Sequence, residues 1–294
     1  MRLLITGGSG LLGSKLTRIA VQRGYETYST YNAHDLNFGI PVKLDICNKK
    51  NVKKSFNEIK PEAVIHAAAL TNVDKCEVER NLARKVNIEG TKNIIESSKN
   101  NNAFLVFIST DYVFSGEKEL YKETDEPKPI NYYGITKFKA EKLIKASNVE
   151  WCIARPSVIF GSSPASGKIN FALWILDKLK NRDTVKIITD QWVSPTLNTN
   201  LAEMTLEIIE RTLSGLYHLA GATPINRYEF ATLIAETFHL NKNLIIPTTS
   251  KEMKWLAKRP KNTSLNIEKA QITLKNKPLK IKDALTKLKE EINI

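Results

Sequence analysis

Cysteine is scarce in this chain of 294 residues: Cys47, Cys76 and Cys152 stand far apart and are odd in number. That excludes a disulfide framework, and the absence of a CxxC spacing excludes a cysteine zinc site. His34, His66, His218 and His239 are equally dispersed, so no metal is expected. Long hydrophobic runs are missing too. No window approaches the ~18–20 apolar residues of a membrane span. The opening Met1-Arg-Leu-Leu-Ile-Thr6 turns glycine-rich before a signal-peptide core could build. The expectation is a soluble, cytoplasmic protein with no membrane partner. Internal repeats, low-complexity tracts and a long Ser/Gly linker are also lacking. Acidic residues are outnumbered: 44 Lys and Arg face 31 Asp and Glu, a net charge of +13. Residues 242–294 alone hold 13 basic against 5 acidic side chains. Such an excess can serve nucleic acid, a polyanionic small molecule, or solvation alone. Here the charges are dispersed among apolar helix positions with no aromatic interleaving. They read as a solvated surface, and no nucleic-acid partner is expected.

What is present is a rhythm of short apolar strands and amphipathic helices. Residues 2–6 read as a strand that runs straight into Gly7-Gly-Ser-Gly-Leu-Leu-Gly13. Leu12, Leu16, Ile19 and Ala20 then recur at helical spacing up to a stop at Gly24. Further strands are predicted at Thr27–Tyr31, Val42–Ile46, Ala63–Ala67, Phe104–Ile108 and Cys152–Ala154. Helices are predicted at Asn48–Lys60, Leu82–Asn100 and Tyr133–Ala146. This alternation predicts an α/β fold, a doubly wound parallel sheet covered on both faces. After Pro156 the rhythm loosens. Gly161–Gly167 reads as a loop, and Gly215–Ala220 as a strand that rejoins the first sheet. The division expected is a dinucleotide-binding domain of residues 1–154 plus about 196–221. A smaller C-terminal α/β substrate domain would use about 155–195 plus 222–294.

The glycines satisfy both GxxGxxG (Gly7, Gly10, Gly13) and GxGxxG (Gly8, Gly10, Gly13), between a strand and a helix. That context lets a pyrophosphate approach main-chain N–H groups at a helix N-terminus, and Ser9 could add a hydroxyl. The second strand ends Ser29-Thr-Tyr-Asn32, with no acid before Asp35. A 2′-phosphate would meet no repulsion there, and Ser29, Thr30 or Asn32 could bond it, although no arginine stands ready to clamp it. NADP(H) is favoured, with NAD(H) the other cofactor the turn would take. Asp45 and Ile46, after the third strand, are placed to flank adenine, although Asp45 also suits a turn or cap. Ala67, Ala68 and Ala69 are small enough for a cofactor to lie along the backbone, or simply to pack tightly.

Asn131-Tyr-Tyr-Gly-Ile-Thr-Lys137 follows about twenty residues after Ser109-Thr-Asp-Tyr-Val-Phe114, and of nine tyrosines only Tyr133 has lysine four residues on. One helical turn puts both side chains on one face. A cation ~6 Å from a phenol, at an effective dielectric of about 20, favours the phenolate by roughly two pKa units. By itself the pair is also what an exposed amphipathic helix would show. The glycine turn ahead of it decides for chemistry.

Together these segments resemble an extended short-chain dehydrogenase/reductase. His66-Ala-Ala-Ala-Leu-Thr-Asn-Val-Asp-Lys75, the STDYVF string, Asp190-Gln-Trp-Val-Ser-Pro-Thr196, Gly215–Gly221 and Arg259-Pro260 with Leu265 resemble the dTDP-4-dehydrorhamnose reductase family most. The resemblance implies a Rossmann fold and an NADP(H)-dependent reductase of a nucleotide-linked 4-keto-6-deoxysugar. Thr110, Tyr133 and Lys137 match the catalytic set. Gly7, Ser9, Gly10, Leu11, Leu12, Gly13, Tyr31, Asn32, Asp45, Ile46, Ala67, Ala68, Ala69, Tyr133, Lys137 and Pro156 would bind cofactor. Thr110, Asp111, Tyr133, Trp192 and Arg259 would face substrate, with Asp190 and Gln191 nearby. A homodimer is the habit of such proteins. Two other implications stand beside this: a sugar-nucleotide epimerase, and a non-catalytic subunit like the β subunit of methionine adenosyltransferase. A 4,6-dehydratase would need Glu where Tyr112 stands. The magnesium site some members build from glutamates near the first helix finds Lys15 there, so no metal is implied.

Overall fold

The computed structural model describes residues 1–33, 38–163 and 169–292. Asp35, and the part of the expected 161–167 loop from Pro164 onward, lie outside them. The strands in chain order are β1 (Arg2–Thr6), β2 (Glu26–Tyr31), β3 (Ile40–Lys43), β4 (Ala63–His66), β5 (Phe104–Ile108), β6 (Trp151–Arg155), β7 (Ser157–Phe160), β8 (Val185–Ile188), β9 (Trp192–Val193), β10 (Pro195–Leu197), β11 (Gly215–His218), β12 (Ile225–Asn226) and β13 (Ile245–Thr248). Seven form one sheet in the order β11-β6-β5-β4-β1-β2-β3. Every pairing in it is parallel. This is the doubly wound order, with its switch point between β1 and β4, and the crevice that takes ligands lies beyond the carboxyl ends there.

Alternation along each strand divides the core into two layers. Leu3, Ile5, Ile65, Val106 and Ala154 face helices Leu11–Gln22 and Asn198–Glu210. Leu4, Val64, Leu105, Phe107 and Ile153 face Phe56, Ile94, Ala140 and Ile144 on the other side. Each fully buried aliphatic or aromatic side chain contributes about 1.5–3 kcal/mol. A separate core joins Phe160, Leu176, Ile187, Ile225, Phe230, Ile245 and Leu285 around the two-stranded β8–β13 unit. The last helix, Ile281–Ile292, is tied down by Glu291, which accepts from Thr199 Oγ1 at 2.5 Å, Ser162 Oγ at 2.8 Å and Lys15 Nζ at 2.9 Å. Among the described residues no helix is long and apolar enough to cross a membrane.

Two predicted elements differ. The third strand is Ile40–Lys43 rather than Val42–Ile46, because it pairs with β2 from Ile40 to Lys43 and the chain then turns. Leu44 and Ile46 are buried as loop residues, not strand residues. The long helix expected over Leu82–Asn100 is broken by a π-helical turn at Lys85–Gly90. There the Asn87 amide accepts from Leu70 N at 2.8 Å and donates to Leu70 O at 3.1 Å and Thr136 Oγ1 at 3.0 Å. Such bulges arise from tertiary contacts and cluster at functional sites. Gly215–His218, by contrast, does rejoin the first sheet, beside β6.

Candidate active site

The carboxyl ends of β1, β2, β4, β5 and β6 open into one cavity of about 690 Å³. The glycine turn forms its floor. Gly7 sits at φ +73°, and a Cβ there would stand 2.8 Å from Ala68 Cα, so turn and Ala67–Ala69 approach as only glycine allows. Gly13 packs against the same turn, where a Cβ would come 2.8 Å from the Gly7 carbonyl carbon. At Gly10 a Cβ would meet only Gly7 O, at 3.1 Å. Gly10 caps helix Leu11–Gln22 with no side-chain hydrogen bond, and the first turn carries no acid. The free N–H groups and the dipole therefore offer an anion site at the cavity wall. The donor set fits a dinucleotide pyrophosphate.

Every residue expected to bind cofactor lines this cavity: Gly7, Ser9 and Gly10–Gly13, Tyr31 and Asn32, Asp45 and Ile46, Ala67–Ala69, Tyr133, Lys137 and Pro156. Asp45 also serves its turn, its Oδ1 accepting from Cys47 N at 2.9 Å. Ser29, however, is not available to a 2′-phosphate. It is fully buried, with its hydroxyl 2.8 Å from Thr17 Oγ1, because β2 presents that face to the first helix. Thr30 reaches the cavity and accepts from Gly7 N at 3.2 Å.

Thr110, Tyr133 and Lys137 meet in the same cavity, all buried. Asn131 starts the helix of Tyr133 and Lys137 by accepting from Gly134 N at 2.9 Å, which fixes where Tyr133 emerges. The Tyr133 hydroxyl lies beside Thr110, which opposes the effect of burial on it. Lys137 Nζ donates to Ile108 O at 2.7 Å and lies 4.0 Å over the Phe107 ring. One expectation is overturned here. The lysine was expected to make the phenol acidic, but burial pushes Tyr133 up and pulls Lys137 down to about 7. Desolvation pulls both groups toward their neutral forms, and it leaves Lys137 titrating near neutral pH.

Asp111 lines the cavity but is already engaged. It accepts from Thr110 Oγ1 at 3.0 Å, Ser157 Oγ at 2.7 Å and Thr263 Oγ1 at 2.6 Å. Burial raises its pKa against those bonds. Trp192 and Arg259 do not line the cavity. Trp192 belongs to the short β9–β12 ladder and is 38% exposed. Arg259 pairs with Asp74 at 3.0 Å and donates to Ala257 O. Asp190 holds Ser250 N at 2.8 Å and Oγ at 2.6 Å, a loop contact. Gln191 bridges Pro260 O and Arg227 Nε.

Arg227 escaped the sequence reading. It lines the cavity, hydrogen-bonds Tyr112, rests 5.2 Å over Phe171, and has no carboxylate partner within ion-pair distance among the described residues. Nothing in Asn226-Arg227-Tyr228 marks it, since only the fold returns this helix start to the cavity. Val158 escaped as well. It lines the cavity at φ +36°, a conformation costing a β-branched residue about 1–3 kcal/mol, and such strain gathers at functional sites.

The family model described as RmlD substrate binding domain matches residues 1–294. A dTDP-4-dehydrorhamnose reductase of Aggregatibacter actinomycetemcomitans is 34% identical over 92% of each chain. The chain belongs to the dTDP-4-dehydrorhamnose reductase family. Its fold matches that of the Bacillus anthracis dTDP-4-dehydrorhamnose reductase solved in complex with NADP, with a TM-score of 0.89, 31% identity and 99% of each chain covered. The mouse methionine adenosyltransferase 2 subunit beta is also similar, at 27% identity over 92% of this chain and 81% of that one.

Proposed function

We propose that this protein is an NADPH-dependent reductase that converts dTDP-4-dehydrorhamnose to dTDP-L-rhamnose. The meeting of Thr110, Tyr133 and Lys137 with the glycine turn in one cavity carries the reading. The membership of the chain among the reductases, and the NADP held by the Bacillus anthracis structure, support it. The turn Gly7–Gly13 and the first helix would hold the pyrophosphate, and Thr30, Tyr31 and Asn32 the adenosine side. When bound, the reduced nicotinamide supplies hydride to the C4 carbonyl of the sugar.

As charge grows on that oxygen, the Tyr133 hydroxyl gives it a proton, a step worth about 10²–10⁴-fold. The raised pKa of Tyr133 keeps the phenol protonated and ready to donate. Thr110, its hydroxyl turned from Asp111 toward the sugar, would donate a hydrogen bond to the same oxygen, a contact worth about 2.7–4 kcal/mol where oxyanion donors have been removed. Lys137 would hold the ribose side of the cofactor and, in its protonated form, restore the proton lost by Tyr133. Residues of about 155–195 and 222–294 form the substrate-binding part. There Arg227, a cavity cation without an ion-pair partner among the described residues, would take the anionic diphosphate.

The test is NADPH oxidation on addition of dTDP-4-dehydrorhamnose. Wild-type protein should turn over, and Tyr133→Phe should lose at least ~10²-fold in kcat while still binding NADPH. No turnover by the wild type with this or a related 4-keto nucleotide sugar would refute the reading. The likeness to methionine adenosyltransferase 2 subunit beta carries one competing reading, a non-catalytic dinucleotide-binding subunit. Co-purification with a synthetase, together with a Tyr133→Phe variant that behaves as wild type, would favour it.

A further inference from the structure

We propose that Glu141, clamped by Arg155 and Ser109, is a positioning residue: it locks the helix bearing Tyr133 and Lys137 in register with the segment after β5 that bears Thr110, and it sets a carboxylate one turn from Lys137. The inference rests on the reductase reading above. Tyr133, Lys137 and Glu141 are spaced i, i+4, i+8 on helix Tyr132–Lys145, so they share one face over two turns. Each meets a different residue at or just beyond the end of β5. Tyr133 lies beside Thr110, Lys137 Nζ donates to Ile108 O at 2.7 Å, and Ser109 Oγ donates to Glu141 Oε1 at 2.5 Å. The last residue of β5 and the two that follow it are thus met by three successive turns of one helix face.

Arg155, the last residue of β6, completes the clamp. Its Nε donates to Glu141 Oε1 at 2.8 Å and a terminal nitrogen donates to Oε2 at 2.6 Å, a bidentate pair. The remaining guanidinium nitrogen lies 3.5 Å from His218 Nε2 on β11. One carboxylate therefore ties the helix to β5 and β6, and through Arg155 to β11. Glu141 is 0% and Arg155 1% exposed. Stability alone is a poor reason for such a pair, since desolvating both ions offsets most of their attraction and apolar residues fill similar space as well. Glu141 also stands one turn from Lys137.

The other titratable groups around Lys137 are Tyr133 on its own helix, His66 on β4 and Cys76 on helix Val73–Val78. Burial holds Tyr133 and His66 neutral, His66 down to about 3. Around Glu141 stand Arg155 and Lys145. Glu141 is thus the carboxylate that opposes the desolvation of Lys137. Without it the ammonium loses its proton at lower pH.

The experiment compares wild type with Glu141→Gln, which keeps the shape and an acceptor for Ser109 but removes the charge. NADPH binding, read by nicotinamide fluorescence, and kcat are both followed from pH 5.5 to 9, roughly the range where such a lysine titrates. The high-pH limb of both profiles should move about one unit toward acid. At pH 8 kcat should fall about tenfold and recover toward pH 6. An equal loss at every pH, with the limb unmoved, overturns the proposal. If Glu141→Gln leaves Arg155 uncompensated and fails to fold, the double variant Glu141→Gln with Arg155→Met removes both charges and must show the same shift. A double variant that folds with the wild-type limb also overturns it. Wild-type protein that binds NADPH without reducing the sugar sinks the reductase reading alone, and the binding profile then decides this one. Wild type that binds no NADPH overturns both.

Discussion

Acid should unfold this protein through two histidines before its carboxylates are reached. His66 is enclosed between Thr6 Oγ1, 2.7 Å from Nδ1, and Thr91 Oγ1, 3.0 Å from Nε2. Thr91 Oγ1 also donates to Asn87 O at 2.8 Å, so its own proton is committed. Nε2 of His66 must then carry the hydrogen, and Nδ1 accepts from Thr6, whose oxygen in turn receives Ala68 N at 3.3 Å. No acceptor is left for a second ring proton. Burial, with Lys137 adding to it, pulls His66 down to about 3. Burial, then Arg155, does the same to His218, also to about 3.

Both folded-state values lie below the unfolded value, so the unfolded chain binds more protons and stability falls as pH falls below about 6.5. Between pH 7.5 and 5.5 each histidine removes about 1.4 kcal/mol, or roughly 2.7 kcal/mol together, a slope near 1.8 protons at pH 5.5. Urea midpoints at half-unit intervals across that range measure it. His66→Gln, which can neither charge nor titrate, should lower the starting stability but remove about 0.9 proton from the slope. A slope below one proton in the wild type, or an unchanged slope in the variant, would refute the linkage argument.

The glycine turn and the substrate end give two further tests beside those on Tyr133 and Glu141. Gly13→Ala should cost about 1–3 kcal/mol in urea unfolding and weaken NADPH binding, because the new methyl meets backbone of Gly7 and Gly8 that cannot give way. Wild-type affinity in that variant would contradict the close approach of helix and turn. Arg227→Gln should raise KM for the sugar nucleotide about 10–100-fold while NADPH affinity holds, as loss of one charge-assisted contact predicts. An unchanged KM would remove Arg227 from the substrate contacts.

The cofactor half of the site was legible along the chain because its signals are local. A strand, a glycine turn and a helix follow one another within Arg2–Gln22. The same holds for Tyr133 and Lys137, one turn apart behind an asparagine cap. The far end of the cavity was less legible. Trp192, in the β9–β12 pair, and Arg259, paired with Asp74, lie outside its lining. Arg227 and Val158 carry no local mark, and only long-range packing brings them in. The break at Lys85–Gly90 was hidden for the same reason, since hydrophobic spacing reports which face is buried and not whether Asn87 finds Leu70 and Thr136.

By itself, then, the sequence determined the parallel sheet, the glycine turn and the threonine, tyrosine and lysine that meet in its cavity. Periodicity, glycine spacing and a one-turn offset are properties of neighbouring residues. Only the tertiary structure decided the electrostatics of that centre. Desolvation depends on everything packed around a group, and it reversed the acid phenol that the Tyr133–Lys137 spacing suggested. The tertiary structure also decided that Glu141, one helical turn from Lys137, would be held by Arg155 from a strand.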